Sequence, residues 1–170
     1  GGISSCTFVS NLLKKGFKGK IAIIEIGRNL GGRCSSRISK KNNGWILNHG
    51  SPNFNIINNS NDLNLNNFVN QLLGKNIIKK DDSLLIELDQ NLNSSIKLTS
   101  QFCDGIIYSS TSSMGDLANR ILSIYNNSKK VDFYFQELII DLEFKKNNWI
   151  LKSKKGNLFY TKFLILSSNL

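Results

Sequence analysis

Three short groups of residues near the start of the chain have the types and spacing to hold a nucleotide. The first is Gly1-Gly2-Ile3-Ser4-Ser5, directly before a helical pattern. Glycines at such a point permit a tight turn and let backbone N–H groups approach a pyrophosphate at the positive end of the helix. In a G-x-G-x-x-G pattern Gly2 would be the middle glycine, and Ser5 would replace the third. The first glycine and its strand would precede Gly1, so we expect this chain to be part of a longer one.

Glu25 is the second group. It lies near the end of the apolar run from Lys20 to Ile26, whose β-branched residues are typical of a buried parallel strand. An acidic side chain about twenty residues after the glycine turn accepts hydrogen bonds from the hydroxyls of an adenosine ribose. A surface glutamate at the end of a strand is the alternative interpretation, and position alone does not decide between the two.

The third group follows at once and contains Arg28 and Gly31-Gly32-Arg33. Two glycines let a loop lie flat against a ligand, and the Arg33 guanidinium offers several donors to a phosphate or a ribose. A linker rarely has this order directly after a strand that ends in an acidic residue. We therefore predict that this loop contacts a cofactor.

The elements that would position these groups follow from the hydrophobic periodicity. Residues 4–15 predict a helix that stops at Gly16, residues 20–26 a strand, and Leu63–Leu73 an amphipathic helix. Further predictions are a short strand at Trp45–Leu47, strands near 83–88 and 95–99, a helix after the serine-rich SSTSS, hairpin turns at Asn147-Asn148 and Lys155-Gly156, and a central strand in the final FLILSS. The order predicts a Rossmann-like α/β fold with a βαβ start and an antiparallel β-meander.

Composition limits the classes of function. The chain has 170 residues, enough for one ordinary domain, and a net charge of +10. Its lysines occur in dispersed pairs without interleaved aromatic residues, so we expect a solvated basic face or an anionic cofactor and no nucleic-acid partner. Three cysteines without CxxC spacing and a single histidine argue against a metal site. The lack of a long apolar span leads us to expect a cytoplasmic protein that does not contact a membrane.

The three groups resemble the signatures of the FAD-dependent amine-oxidase-like flavoproteins, most closely those of the renalase-like NAD/FAD-dependent oxidoreductases. The family's acidic residue followed by GGR-x-x-S/T is matched by Glu25 and GGRCSS. Asn48-His49-Gly50-Ser51 is similar to a D-H-G-A segment near the flavin, with Asn48 in place of the aspartate. SSMGDLANRIL is similar to the family's gM-x-x-L helix. Ile139 stands where the family's valine pairs its backbone with adenine.

This resemblance implies FAD as the cofactor. It implies a Rossmann-like FAD/NAD(P)-binding domain formed by residues 1–54 and 106–170, with the beginning of an inserted substrate domain at 55–105. The implied reaction is hydride transfer to FAD from a small-molecule substrate, either NAD(P)H or an amine, followed by reoxidation by dioxygen. The alternative function is a non-catalytic basic module that holds a nucleotide or another polyanion. The sequence assigns neither catalytic residues nor an oligomeric state.

The predicted cofactor-binding residues combine the three groups with the segments that the resemblance adds. They are Gly1, Gly2, Ile3, Ser4, Ser5, Glu25, Ile26, Arg28, Gly31, Gly32, Arg33, His49, Gly50, Ser51 and Ile139. We expect His49 to orient a loop rather than to act in catalysis. Cys34, which follows Arg33, is either a thiol of lowered pKa or a residue that only completes the loop. We expect Trp45 and Trp149 in the core.

Overall fold

The computed structural model describes residues 1–39, 41, 44–56, 62–81, 86–88, 90–91, 94–96, 105–125 and 130–167. Two compact units are present. Unit 1 consists of Gly1–Cys34 and Ala118–Leu170, and unit 2 of Ser35–Leu117. The prediction of an FAD-binding domain and an inserted substrate domain concerns what each part binds. The two compact units do not test it, so it stays a prediction.

Short strands outnumber helices in the described residues. In chain order the elements are α1 (Ile3–Lys14), β1 (Ile21–Glu25), a 3₁₀ turn (Gly32–Cys34), β2 (Arg37–Ile38), β3 (Ile46–Leu47), β4 (Phe54–Ile56), α2 (Leu63–Gly74), β5 (Ile78–Lys80), β6 (Ile86–Leu88), β7 (Ser94–Ile96), β8 (Ile106–Ser110), a second 3₁₀ turn (Met114–Asp116), α3 (Leu117–Ser123), β9 (Val131–Phe135), β10 (Ile139–Lys145), β11 (Asn148–Ser153) and β12 (Leu158–Thr161).

The core of unit 1 lies between α1, α3 and the parallel pair β1–β9. Helical spacing puts Cys6 and Val9 on one face of α1, where they pack in a cluster with Ile23 of β1 and with α3. The Ser10 hydroxyl, which is also buried, donates to the Ile121 carbonyl at 2.9 Å. Helix α1 and strand β1 are therefore confirmed close to their predicted limits. The parallel register joins all five residues of β1 to β9.

The antiparallel meander β10–β11–β12 is also confirmed, with one correction at its first turn. The turn residues are Lys146 and Asn147, at φ +48° and +62°, so the predicted position Asn147-Asn148 is wrong by one residue. Two consecutive positive φ angles match the twist of a tight hairpin, and Asn148 instead begins β11. The second turn contains Gly156 at φ +89°, as predicted.

The predicted central strand in FLILSS is wrong. Residues 163–167 form no strand, and the side chain of Phe163 is 79% exposed. Apolar composition makes a segment suitable for a sheet, but a strand also requires a neighbouring edge with free hydrogen-bonding groups. No strand of the described residues pairs with this segment.

Unit 2 contains helix α2 and three small antiparallel sheets, β2–β3, β4–β8–β5 and β6–β7. The predicted helix at Leu63–Leu73 is confirmed, and its N-terminus is capped by the Asp62 carboxylate, which accepts from the backbone N–H groups of Asn64 and Leu65. The short strand predicted at Trp45–Leu47 is confirmed as β3. Trp45 itself is 72% exposed, so its expected place in the core is wrong. The strands predicted near 83–88 and 95–99 lie partly outside the described residues.

Candidate functional site

The N-terminus of α1 is open to an anion. Gly2 is the N-cap, in extended backbone at φ −79° and ψ −175°, and the first helical hydrogen bond runs from Cys6 N–H to its carbonyl at 3.1 Å. By the geometry of an α-helix, the N–H groups of Ile3, Ser4 and Ser5 then have no helical acceptor. A Cβ atom on Gly2 would meet nothing within 4 Å. The positive end of the helix dipole therefore faces accessible space.

Ser5 occupies the place of the third glycine of the predicted pattern. Its hydroxyl donates to the Gly2 carbonyl at 2.9 Å, so the side chain is tied to its own turn of the helix. The preceding Ser4 is exposed, whereas Ile3 packs against the core cluster. Serine is thus accommodated at this position without directing its hydroxyl away from the helix.

The second glycine pair lies directly beside the first. Gly31 N–H donates to the Gly1 carbonyl at 2.9 Å, and Gly2 and Gly31 form a parallel β-bridge. Gly32 has φ +54°, and a Cβ atom there would lie 3.2 Å from the Gly2 Cα. Glycine is favoured here by both the backbone conformation and the close approach. Arg33 follows with an exposed side chain in the 3₁₀ turn, next to the start of α1.

Glu25 brings an ionised carboxylate to the same place. Its Oε1 accepts from Gly27 N–H at 2.8 Å, and its Oε2 lies 2.9 Å from the Gly1 nitrogen. Its side chain is only 13% exposed. Burial acts to raise the pKa of Glu25, but the hydrogen bonds from Gly27 N–H and the Gly1 nitrogen lower it, and the net shift is downward. A carboxylate has about four acceptor positions, so capacity remains for ribose hydroxyls.

Gly1 and Gly27 can lie this close to the Glu25 carboxylate because glycine has no side chain. A Cβ atom on Gly1 would lie 2.7 Å from Glu25 Oε2 and 3.0 Å from a methyl carbon of Leu30. A Cβ atom on Gly27 would lie 3.1 Å from Glu25 Oε1. The structure therefore brings together the three groups of the sequence prediction within unit 1. Ile26 and Arg28 lie in the same loop with exposed side chains.

The connection between β9 and β10 completes the surroundings of Glu25, and sequence reasoning missed it. Gln136 N–H donates to the Gly27 carbonyl at 2.9 Å, and Glu137 N–H donates to the Glu25 carbonyl at 3.0 Å. The signal in the sequence was the polar pair Gln136-Glu137 inside the otherwise apolar FYFQELII. Ile139, the predicted neighbour of adenine, follows as the half-buried first residue of β10 and pairs with Ser153.

The remaining predicted residues, His49, Gly50 and Ser51, lie in unit 2. Gly50 N–H donates to the Ser35 carbonyl at 3.2 Å, the exposed His49 ring lies 3.5 Å from the Ser35 hydroxyl, and the Ser51 hydroxyl donates to Asn53. These contacts hold the segment in a defined loop. The predicted contact of this segment with a cofactor stays a prediction.

Asn48 keeps an acceptor where the resembled family has aspartate. Its Oδ1 accepts from the Ser36 hydroxyl at 2.6 Å and from Met114 N–H at 3.2 Å. Ser36 in turn accepts from Gly115 N–H at 2.8 Å. The amide oxygen is sufficient for both bonds, so the loss of the negative charge leaves this network intact.

The cysteines offer no activated thiol among the described residues. Burial raises the pKa of Cys34, and the nearby Arg33 offsets this only in part, so the alternative of a lowered pKa is wrong. Cys6 is fully buried in the core, where burial also raises its pKa. Cys103 lies outside the described residues.

Neither a metal centre nor a membrane span occurs in the described part of the chain. Its histidine, cysteine and acidic residues form no group of three or more that could hold a metal ion. Its helices lack the length and apolar character required to cross a bilayer.

Comparisons with known proteins agree with this geometry. Residues 1–72 match the family model described as NAD(P)-binding Rossmann-like domain. No curated protein matches the chain. The structure is similar to those of the tetracycline destructases Tet(55) and Tet(51), with TM-scores of 0.53 and 0.52, identities of 11% and 15%, and coverage of 95% of this chain and 34% of theirs. The Diels-Alderase PyrE3 of pyrroindomycin biosynthesis gives a TM-score of 0.50 at 8% identity, with 94% of this chain and 29% of that one covered.

This chain thus spans about a third of the length of those structures. At such low identities the likeness concerns the fold alone, which is a Rossmann-like α/β fold as predicted. The family model together with the site geometry supports a dinucleotide cofactor of the flavin or nicotinamide class.

Proposed function

We propose that unit 1 binds the ADP half of FAD and that the protein acts as an FAD-dependent oxidoreductase of the renalase-like or amine-oxidase-like type. One observation carries this proposal: an ionised Glu25 carboxylate and two glycine pairs meet at an open helix N-terminus. The family model leaves flavin and nicotinamide cofactors open. FAD is favoured because GGR follows Glu25 after five residues, the spacing of the flavoprotein family that the sequence resembles.

Each group has a separate task in this proposal. The N–H groups of Ile3, Ser4 and Ser5 bind the pyrophosphate, because they lack helical acceptors and lie at the positive end of the dipole. The Glu25 carboxylate accepts hydrogen bonds from the ribose hydroxyls. Arg33 donates to the phosphate or the ribose from the side of the second glycine pair.

The residues present fit a bound dinucleotide at its ADP end. Gly2 leaves open space in front of the helix, and Gly1 and Gly32 permit backbone contacts that a Cβ atom would obstruct. A bound flavin would supply the redox chemistry, namely hydride acceptance from a reduced nicotinamide or an amine with dioxygen as the final oxidant. The protein groups named above bind and orient the ADP half. The family resemblance alone adds His49, Gly50 and Ser51 to the proposed cofactor-binding residues.

The test is a titration of the 170-residue chain with FAD, followed by visible absorption and calorimetry. Glu25→Ala removes the charged acceptor and should weaken binding by about 1.5–3 kcal/mol, or roughly tenfold to a hundredfold in Kd. Glu143→Ala is the matched control, because Glu143 is exposed on β10 and pairs only with Lys145 at 3.5 Å in the described residues.

Equal affinities of wild type and Glu25→Ala for FAD would contradict the ribose role. The alternative function, a basic module for polyanions, predicts a different pattern. Such a module would bind inorganic pyrophosphate as tightly as ADP and would respond to salt rather than to the loss of Glu25.

A further inference from the structure

A second carboxylate with little solvent exposure, that of Glu137, belongs to the connection that bonds to the backbone of Glu25. Glu137, on the connection between β9 and β10, is only 8% exposed. Its Oε1 accepts from the Asn157 side-chain amide at 2.8 Å and lies 3.3 Å from Lys155 Nζ. Both partners belong to the turn between β11 and β12. A carboxylate is costly to bury without such partners, so this side chain is held by the turn.

The charge state of Glu137 agrees with this arrangement. Ser153, Lys155 and Asn157 lower the pKa of Glu137, and burial opposes them. Glu137 is therefore ionised at neutral pH.

The backbone of the connection links this turn to the Glu25 loop. On one side, Gln136 N–H and Glu137 N–H donate to the carbonyls of Gly27 and Glu25. On the other side, Lys154 N–H donates to the Leu138 carbonyl at 2.8 Å. Gln136 has φ +58°, a left-handed conformation that is unfavourable for a residue with a side chain. Such a conformation persists only where the surroundings hold it.

We propose that Glu137 is a positioning residue for the ribose-binding carboxylate of Glu25. Its bonds to Asn157 and Lys155 hold the connection in its left-handed conformation. The connection in turn fixes the backbone of Glu25 and Gly27, and the Gly27 N–H orients the Glu25 carboxylate through Oε1. This inference rests on the proposed function. It adds that Glu137 and its partners in the turn between β11 and β12 determine how well the ribose diol is recognised.

The experiment compares the affinities of the 170-residue chain for ADP and 2′-deoxy-ADP by calorimetry. A carboxylate that accepts from both ribose hydroxyls distinguishes these ligands, whereas phosphate binding does not. We expect wild type to prefer ADP and Glu25→Ala to lose the preference. Glu137→Ala and Asn157→Ala should each lower the preference by about two- to tenfold, as expected for one weakened hydrogen bond. In the Glu25→Ala background neither change should have a further effect on it.

Glu143→Ala is again the control, because it removes a glutamate–lysine pair of similar length, 3.5 Å, at an exposed position. A purely structural role of Glu137 would lower the melting temperature and both affinities together, with an unchanged preference for ADP. That result would overturn the positioning role and leave the proposed function standing. A wild type that binds neither ligand, or a preference that Glu25→Ala leaves intact, would overturn both.

If Glu137→Ala does not fold, Asn157→Ala decides the question. Asn157 is exposed, and its backbone N–H keeps its bond to the Ser153 hydroxyl at 3.2 Å when the side chain is removed. An unchanged preference in this folded variant would equally contradict the positioning role.

Discussion

Gly2→Ala should weaken cofactor binding while leaving the stability of the fold nearly unchanged. Gly2 has φ −79°, which alanine adopts freely, and its Cβ would meet nothing within 4 Å. Alanine is a poorer N-cap than glycine by about 0.5–1 kcal/mol. Alanine also lowers the conformational entropy of the unfolded chain, which stabilises the folded state by about 0.4–1 kcal/mol. The free energy of unfolding should therefore change little.

The effect on binding should be much larger. The added methyl group would occupy the space through which a pyrophosphate approaches the N–H groups of Ile3, Ser4 and Ser5. Loss of one charge-assisted hydrogen bond costs about 1.5–3 kcal/mol, which corresponds to roughly a tenfold to hundredfold weaker Kd. The same loss is expected for ADP, FAD and inorganic pyrophosphate, because the methyl group affects the phosphate contact that all three share.

The assay is calorimetric titration with ADP, beside urea unfolding of each variant. Gly74→Ala is the matched control, because Gly74 ends α2 and its Cβ would also meet nothing within 4 Å. We expect this control to bind ADP as wild type does. Unchanged ADP affinity of a folded Gly2→Ala protein would refute the placement of the phosphate at the N-terminus of α1.

Two further predictions concern stability. Gly32→Ala should lower the free energy of unfolding by about 1–3 kcal/mol, because alanine is strained at φ +54° and its Cβ would press on the Gly2 backbone. Gly16→Ala, at φ +80° with nothing within 4 Å, carries the strain without the contact, so an equal loss in urea unfolding would contradict the close packing of the two glycine pairs. The lowered pKa of Glu25 stabilises the folded chain fully above its ordinary value of 4.5, and this contribution is lost as the pH falls through the lower folded pKa. The stability difference between wild type and Glu25→Gln should shrink on acidification below 4.5, and a difference independent of pH in urea unfolding would show that Glu25 is not held as an ion.

Local sequence was sufficient for the parts of the site that depend on backbone conformation and periodicity. Helix α1, strand β1 and the glycine pairs could be predicted, because apolar spacing and the special conformations of glycine act within a few residues. The placement of Glu25 at the end of β1 followed in the same way. The turn at Lys146-Asn147 was missed by one residue, since several residues in KKNN suit a turn and only the strand register selects between them.

Contacts between distant parts of the chain were decided by the tertiary structure alone. Hydrophobic composition predicted a central strand in FLILSS, yet no described strand provides an edge for it. The hydrogen bonds from Gly31 N–H to the Gly1 carbonyl and from Glu137 N–H to the Glu25 carbonyl likewise join segments that are far apart in sequence. The sequence by itself determined which residues could adopt the required conformations and carry the required charge. Only the folded chain decided which hydrogen-bond partners they meet, because the partner of a buried polar group comes from whichever segment packs against it.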